Sequence, residues 1–91
     1  MHTLSMFEFD PAKASANFAK HGITFADAEA ALFDPRACTS DRSVGGELRH
    51  ITTGADAFGR VITVVWTKRG IRYRLISARA ARREERILYA T

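Results

Sequence analysis

The sequence predicts an α+β domain with two N-terminal helices, an antiparallel β-sheet and a C-terminal helix. Three observations lead there. Helix-type spacing between recognisable caps fills residues 10–34. From residue 37 the period changes to stretches rich in Thr, Val, Ile and aromatics, separated by turn residues. The chain then closes on a run, residues 79–89, in which arginines recur at helical spacing. Ninety-one residues at 46% hydrophobic content are enough for one core and too few for two.

In chain order, Met6-Phe7-Glu8-Phe9 alternates apolar and polar residues and reads as a short edge strand. Asp10-Pro11 supplies an N-cap followed by proline at the first helical position. That helix runs to about His21, with Gly22 as its terminator. Ala14 and Phe18 share one of its faces, and Lys13, Asn17 and Lys20 share another. Thr24 caps a second helix with Asp27 three residues on; Phe25, Ala28 and Leu32 trace its buried stripe, and Asp34-Pro35 stops it. Strands are expected near 37–41, 47–53, 60–68 and 71–78. A two-residue Arg69-Gly70 turn would pair Thr67 with Arg72 and Val65 with Arg74. Ile62, Val64, Trp66, Tyr73 and Leu75 then face the core, and Arg72 and Arg74 the other side. The last helix, from about Ala80 to Tyr89, would bury Ala81, Glu84, Ile87 and Leu88 and expose Arg79, Arg82, Arg83, Arg86 and Tyr89. Residues 1–5 read as a disordered leader or an upstream start, and 6–91 as a single domain.

Charge is distributed unevenly. Residues 60–91 carry nine basic and two acidic side chains, whereas residues 1–59 are net acidic. All but one of those nine cations are arginine, which pairs bidentately with phosphate and stays charged when half-buried. RNA or DNA is therefore the first candidate partner, with a membrane surface or an acidic protein as alternatives. No apolar run is long enough to span a bilayer, no secretory signal is visible, and the single Cys38 cannot form an internal disulfide. Together these read as a cytoplasmic domain with no membrane partner.

Arg72, Arg74 and Arg79 leave the last strand where the basic helix begins and can converge on one phosphate. Lys20, Arg49, Arg82, Arg83 and Arg86 are candidates for extending RNA contact. His21, Glu47 and Tyr89 are candidates for moving protons. Each has a structural alternative: His21 opposite a helix dipole, Glu47 in a salt bridge, Tyr89 covering the edge of the core. No Cys/His zinc spacing, carboxylate cluster, phosphate loop or nucleophile elbow is present, so neither metal nor cofactor is expected. Cleavage without metal favours RNA, whose 2′-hydroxyl can attack the adjacent phosphate.

Two blocks also resemble the BrnT toxin family. Phe7-Glu8-Phe9-Asp10, Lys13, Asn17, Lys20-His21-Gly22-Ile23, Phe25 and Ala28 are similar to its opening motif, with Phe9 where tryptophan is an alternative. Arg74-Leu75-Ile76-Ser77-Ala78-Arg79-Ala80, Glu85-Arg86 and Tyr89 resemble its ending. The middle, Asp34 to Gly59, matches loosely. The resemblance implies a type II toxin with a RelE-like fold, an endoribonuclease that arrests translation. It also implies a BrnA-like antitoxin partner that alone contacts operator DNA. A non-catalytic nucleic-acid-binding module and a pure protein-interaction subunit remain the alternatives.

Overall fold

The computed structural model describes residues 2–4 and 6–91. Strands β1 (His2–Leu4) and β2 (Phe7–Phe9) precede helices α1 (Pro11–His21) and α2 (Phe25–Leu32). Strands β3 (Cys38–Val44), β4 (Glu47–Ala55), β5 (Val61–Arg69) and β6 (Arg72–Ala80) follow, and α3 (Arg83–Ala90) closes the chain. They form one six-stranded sheet in the order β1-β2-β6-β5-β4-β3. The architecture is α+β as expected, with two corrections. The sheet is mixed, because β2 runs parallel to β6, with Phe7 opposite Tyr73 and Glu8 opposite Arg74. And β2 is not an edge: residues 2–4, assigned by sequence to a leader, pair with it as β1. Met1 and Ser5, from the same leader, lie outside the described residues.

The caps behave as the sequence predicts. Asp10 accepts from the N–H of Ala12, and Gly22 ends α1 in the left-handed region at φ 70°, its N–H donating to the Phe18 carbonyl. Thr24 accepts from the N–H of Asp27 at the start of α2. Both helices cover one face of the sheet, where Phe7, Ile23, Phe25, Ala28, Ala31, Ile62, Val64, Leu75 and Ala78 are buried. Each large apolar side chain among them contributes about 1.5–3 kcal/mol. The approach of α2 is close: a Cβ on Gly54 would lie 2.5 Å from the Ala31 carbonyl oxygen, so only glycine fits there.

The face of α1 turned to the sheet carries Asn17 along with Ala14, which packs against the core. Phe18 is 52% exposed, while Asn17 is buried. Its side-chain amide accepts from the N–H of Ala78 and donates to the carbonyls of Ala78 and Ile23. β2 accompanies β6 only as far as Arg74, and beyond that point Asn17 satisfies the backbone of Ala78 much as a neighbouring strand would.

The hairpin between β5 and β6 pairs Arg69 with Arg72 and Thr67 with Arg74, so its turn is Gly70-Ile71. The expected register was off by two residues. Because side chains alternate with a period of two, the faces survive the error.

Candidate functional site

α3 covers one end of the sheet face opposite α1 and α2. There Thr63 and Thr53 bond to each other beneath α3, and Glu85 of α3 bonds Thr63. The rest of that face carries arginines, and their placement depends on one irregularity in β6. Val65 pairs with Ser77 but Trp66 pairs with Leu75, so Ile76 is an extra residue with no counterpart. A bulge of this kind reverses the alternation of the strand. Before it, Arg72 and Arg74 lie on the open face; after it, Ser77 and Arg79 do, while Ala78 joins the core. Without the bulge, Arg79 would point the same way as Leu75. The bulge therefore puts Arg74 and Arg79 on one surface, on either side of Ser77, about 15 Å apart along the strand.

Beside Ser77, α1 delivers its basic side chains. Lys13, Lys20 and His21 line an open hollow of about 270 Å³ against Ile76 and Ser77. The helix ends there because of the left-handed turn at Gly22, which leaves half-buried His21 as the last helical residue. The Asn17–Ala78 bonds hold this face of α1 against the strand.

The flanking arginines are held by carboxylates. Arg74 donates to Glu8 on β2, with its terminal nitrogen at 3.1 Å. Arg79 donates from both terminal nitrogens to Glu85, at 2.8 and 3.0 Å. Glu85 also accepts from the N–H of Arg82. The Arg79 guanidinium, with help from the Arg82 amide and Thr63, holds the Glu85 carboxyl down at about 2. The same pairing raises the Arg79 guanidinium above its already high value.

The remaining sequence candidates lie elsewhere. Glu47 accepts from Arg49 at 3.4 Å and Arg69 at 2.9 Å, at the far end of the open face. By register it stands level with Arg69 and Arg72, roughly 15 Å of strand from Ser77. Tyr89 donates to Asp34 and lies under the guanidinium of Arg36, so it anchors the end of α3 to the connection after α2. That bond, together with the amides of Ala55 and Arg36, keeps the Asp34 carboxyl below its usual range and pushes the Tyr89 hydroxyl up. Arg82 is the N-cap of α3, exposed Arg83 opens the helix, and Arg86 donates back to the Ala81 carbonyl. The helix is rotated from its predicted orientation: Glu85 and Tyr89 face the body, while Ile87 and Leu88 are 53% and 63% exposed. Polar anchors, not apolar burial, set its angle, and hydrophobic periodicity alone carries no such signal.

Sequence reasoning missed Ser77, Lys13 as a lining residue, Glu8 as the partner of Arg74, and Arg42 and Arg69 as members of the open face. The larger cleft, about 500 Å³, is on the other side of the sheet. It is lined by Glu47, Leu48, Trp66, Thr67, Lys68, Tyr73 and His50, whose ring stacks 4.4 Å from Trp66 and bonds Asp41. Among the described residues, no group of three or more His, Cys, Asp or Glu side chains is placed to hold a metal ion, and no helix is long and apolar enough to cross a membrane.

A mixed sheet with α1 and α2 packed on one face, arginines on the other, and a lysine–histidine hollow between α1 and Ser77 of β6 defines a small α+β domain. The profile of the family described as "Ribonuclease toxin, BrnT, of type II toxin-antitoxin system" matches residues 9–85. The chain belongs to this family of ribonuclease toxins. The crystal structure of the Brucella abortus ribonuclease toxin BrnT is similar, with a TM-score of 0.64 and 26% sequence identity over 87% of this chain and 100% of that one. Among curated proteins, none matches the sequence.

Proposed function

We propose that the protein is a metal-independent endoribonuclease toxin whose reaction takes place in the hollow between α1 and the β6 bulge. The observation that carries this reading is the placement of Arg74 and Arg79 on one face on either side of Ser77, with Ser77 itself bordering the hollow lined by Lys20 and His21. A phosphodiester over Ser77 would meet cationic groups from two sides, with Arg72 and Lys13 further along. Arginine has five N–H donors, so both flanking guanidiniums can turn some toward phosphate while Glu8 and Glu85 keep them oriented.

In this mechanism His21 takes the proton from the 2′-hydroxyl, whose oxygen forms a bond to phosphorus. The bond from phosphorus to the 5′-oxygen breaks, and the Lys20 ammonium returns a proton to that oxygen. The products are a 2′,3′-cyclic phosphate and a 5′-hydroxyl. Glu47 and Tyr89 are less suited to proton transfer, since each is engaged far from the hollow. The RelE-like fold relationship, a BrnA-like antitoxin acting as the sole operator-binding partner, translation arrest and a cytoplasmic location belong to the same proposal. Family membership is their support.

The test is incubation of purified protein with end-labelled RNA, with and without EDTA, followed by analysis of product ends. Cyclic-phosphate ends formed equally well in EDTA are expected. Loss of cleavage in EDTA, or 5′-phosphate products, would overturn the mechanism. Salt-dependent binding without any cleavage would favour the non-catalytic alternative.

A further inference from the structure

We propose that the open face beyond the hollow, where Arg72, Arg69, Arg49 and Arg42 lie, is the track for the RNA strand flanking the scissile phosphate. The inference rests on the ribonuclease reading and adds a path for the substrate.

Register places all four on one surface. Arg69 pairs with Arg72 across β5 and β6, and Arg42 pairs with Arg49 across β3 and β4. Residues directly opposite in antiparallel strands share a face. Glu47 joins the two pairs by bonding both Arg49 and Arg69. Arg74 continues the row on β6, since it pairs with Thr67 two residues from Arg69. The row therefore leads from the β6 bulge across β5 and β4 to β3, whose seven residues are all exposed.

Like charges set directly opposite each other destabilise a sheet. This sheet contains two such arginine pairs side by side, with Glu47 as the carboxylate between them. A chain of phosphates would add negative charge along this row. Among the described residues, register gives this row guanidiniums with Val44, Ile51 and Val65 beside them, and none of the aromatic anchors on which a protein partner's affinity would depend. The apolar and aromatic surface is on the opposite side, around Trp66 and Tyr73. Glu47 and Thr67 also border the cleft that holds Trp66 and Tyr73, so the arginine row and the aromatic surface meet at this end of the sheet.

The path also differs from the sequence expectation. Arg82, Arg83 and Arg86 on α3 belong to a different part of the surface, with the Arg86 side chain donating to the Ala81 carbonyl. Arg42 and Arg69 take their place.

The experiment compares wild type with Arg42→Gln/Arg69→Gln, a double substitution outside the proposed catalytic hollow. The probe is a single-stranded RNA of about twenty nucleotides made uncleavable by 2′-O-methyl substitution throughout, and binding is followed by fluorescence anisotropy over a salt series. Loss of two phosphate contacts is expected to flatten the log–log salt slope by about 1.4, at roughly 0.7 per phosphate on a single strand. In parallel, KM for a cleavable RNA of the same length should rise while kcat stays near wild type, and a trinucleotide substrate should not distinguish the two proteins. An unchanged salt slope and unchanged KM would overturn the track. So would a variant that loses antitoxin binding but keeps RNA affinity, which would assign the face to a protein. Exposed Arg42→Gln alone should flatten the slope by about 0.7, and this decides the matter if the double variant does not fold. Because binding is read on an uncleavable strand, the track can fail while cleavage stands, and the reverse.

Discussion

Replacing Glu85 by glutamine tests how α3 is held over the open face. The carboxylate accepts two bonds from Arg79, one from the Arg82 amide and one from Thr63, and its pKa falls from 4.5 to about 2. That displacement corresponds to about 3 kcal/mol favouring the ionised, folded form. The Glu85 side chain keeps 19% of its surface in water, so roughly 2 kcal/mol is the expected net loss in the variant. The sign follows from the depressed value. The contribution is fully present above pH 4.5 and disappears as pH falls toward 2. Urea unfolding of wild type and Glu85→Gln at pH 7 should therefore differ by about 2 kcal/mol, and the gap should shrink to roughly a quarter of that at pH 2.5. Taking the difference cancels the other carboxylates that titrate in the same window, Asp34 among them. RNA cleavage by the variant should persist, since Arg79 is freed, not removed. An equal gap at both pH values would refute the assignment of the lowered carboxyl to this pair.

Other outcomes follow from the same contacts. Asn17→Ala should lower stability by about 3 kcal/mol in denaturant melts, because the buried N–H and C=O of Ala78 lose their partner. Gly54→Ala should lower the melting temperature by several degrees, since a methyl group 2.5 Å from a backbone oxygen forces α2 off the sheet. Tyr89→Phe should speed amide exchange in α3 while leaving the rate of RNA cleavage near wild type; a loss of cleavage in a folded Tyr89→Phe protein would return the hydroxyl to the chemistry.

Much of the fold can be read from local chemistry. Asp10-Pro11, Gly22 and Thr24 act through their nearest neighbours, so their caps appear where the sequence puts them. The face of Arg72 and Arg74 was readable despite a wrong turn, since a two-residue slip preserves alternation. The bulge at Ile76 was not readable. Nothing in Leu75-Ile76-Ser77 marks an extra residue, and the bulge exists through pairing with β5 and support from Asn17. The exposure of Phe18 was not readable, because long-range hydrogen bonds from Asn17 set which side of α1 meets the sheet. α3 was misjudged for a related reason, since ion pairs and hydrogen bonds fix its rotation while Ile87 and Leu88 stay in water. The aromatic cluster of His50, Trp66 and Tyr73 joins three strands, and its stacking depends on a register that only the assembled sheet defines.

The central claim is that guanidiniums flanking the β6 bulge act on the phosphate that is cut. Single-turnover cleavage of a labelled RNA by Arg74→Gln and Arg79→Gln, with Arg83→Gln as a control on α3, tests it most directly. Removing one charge-stabilising donor should slow each of the first two by about 10²–10³-fold while the control stays near wild type. Folded Arg74→Gln and Arg79→Gln proteins that both cleave at the wild-type rate would contradict the account.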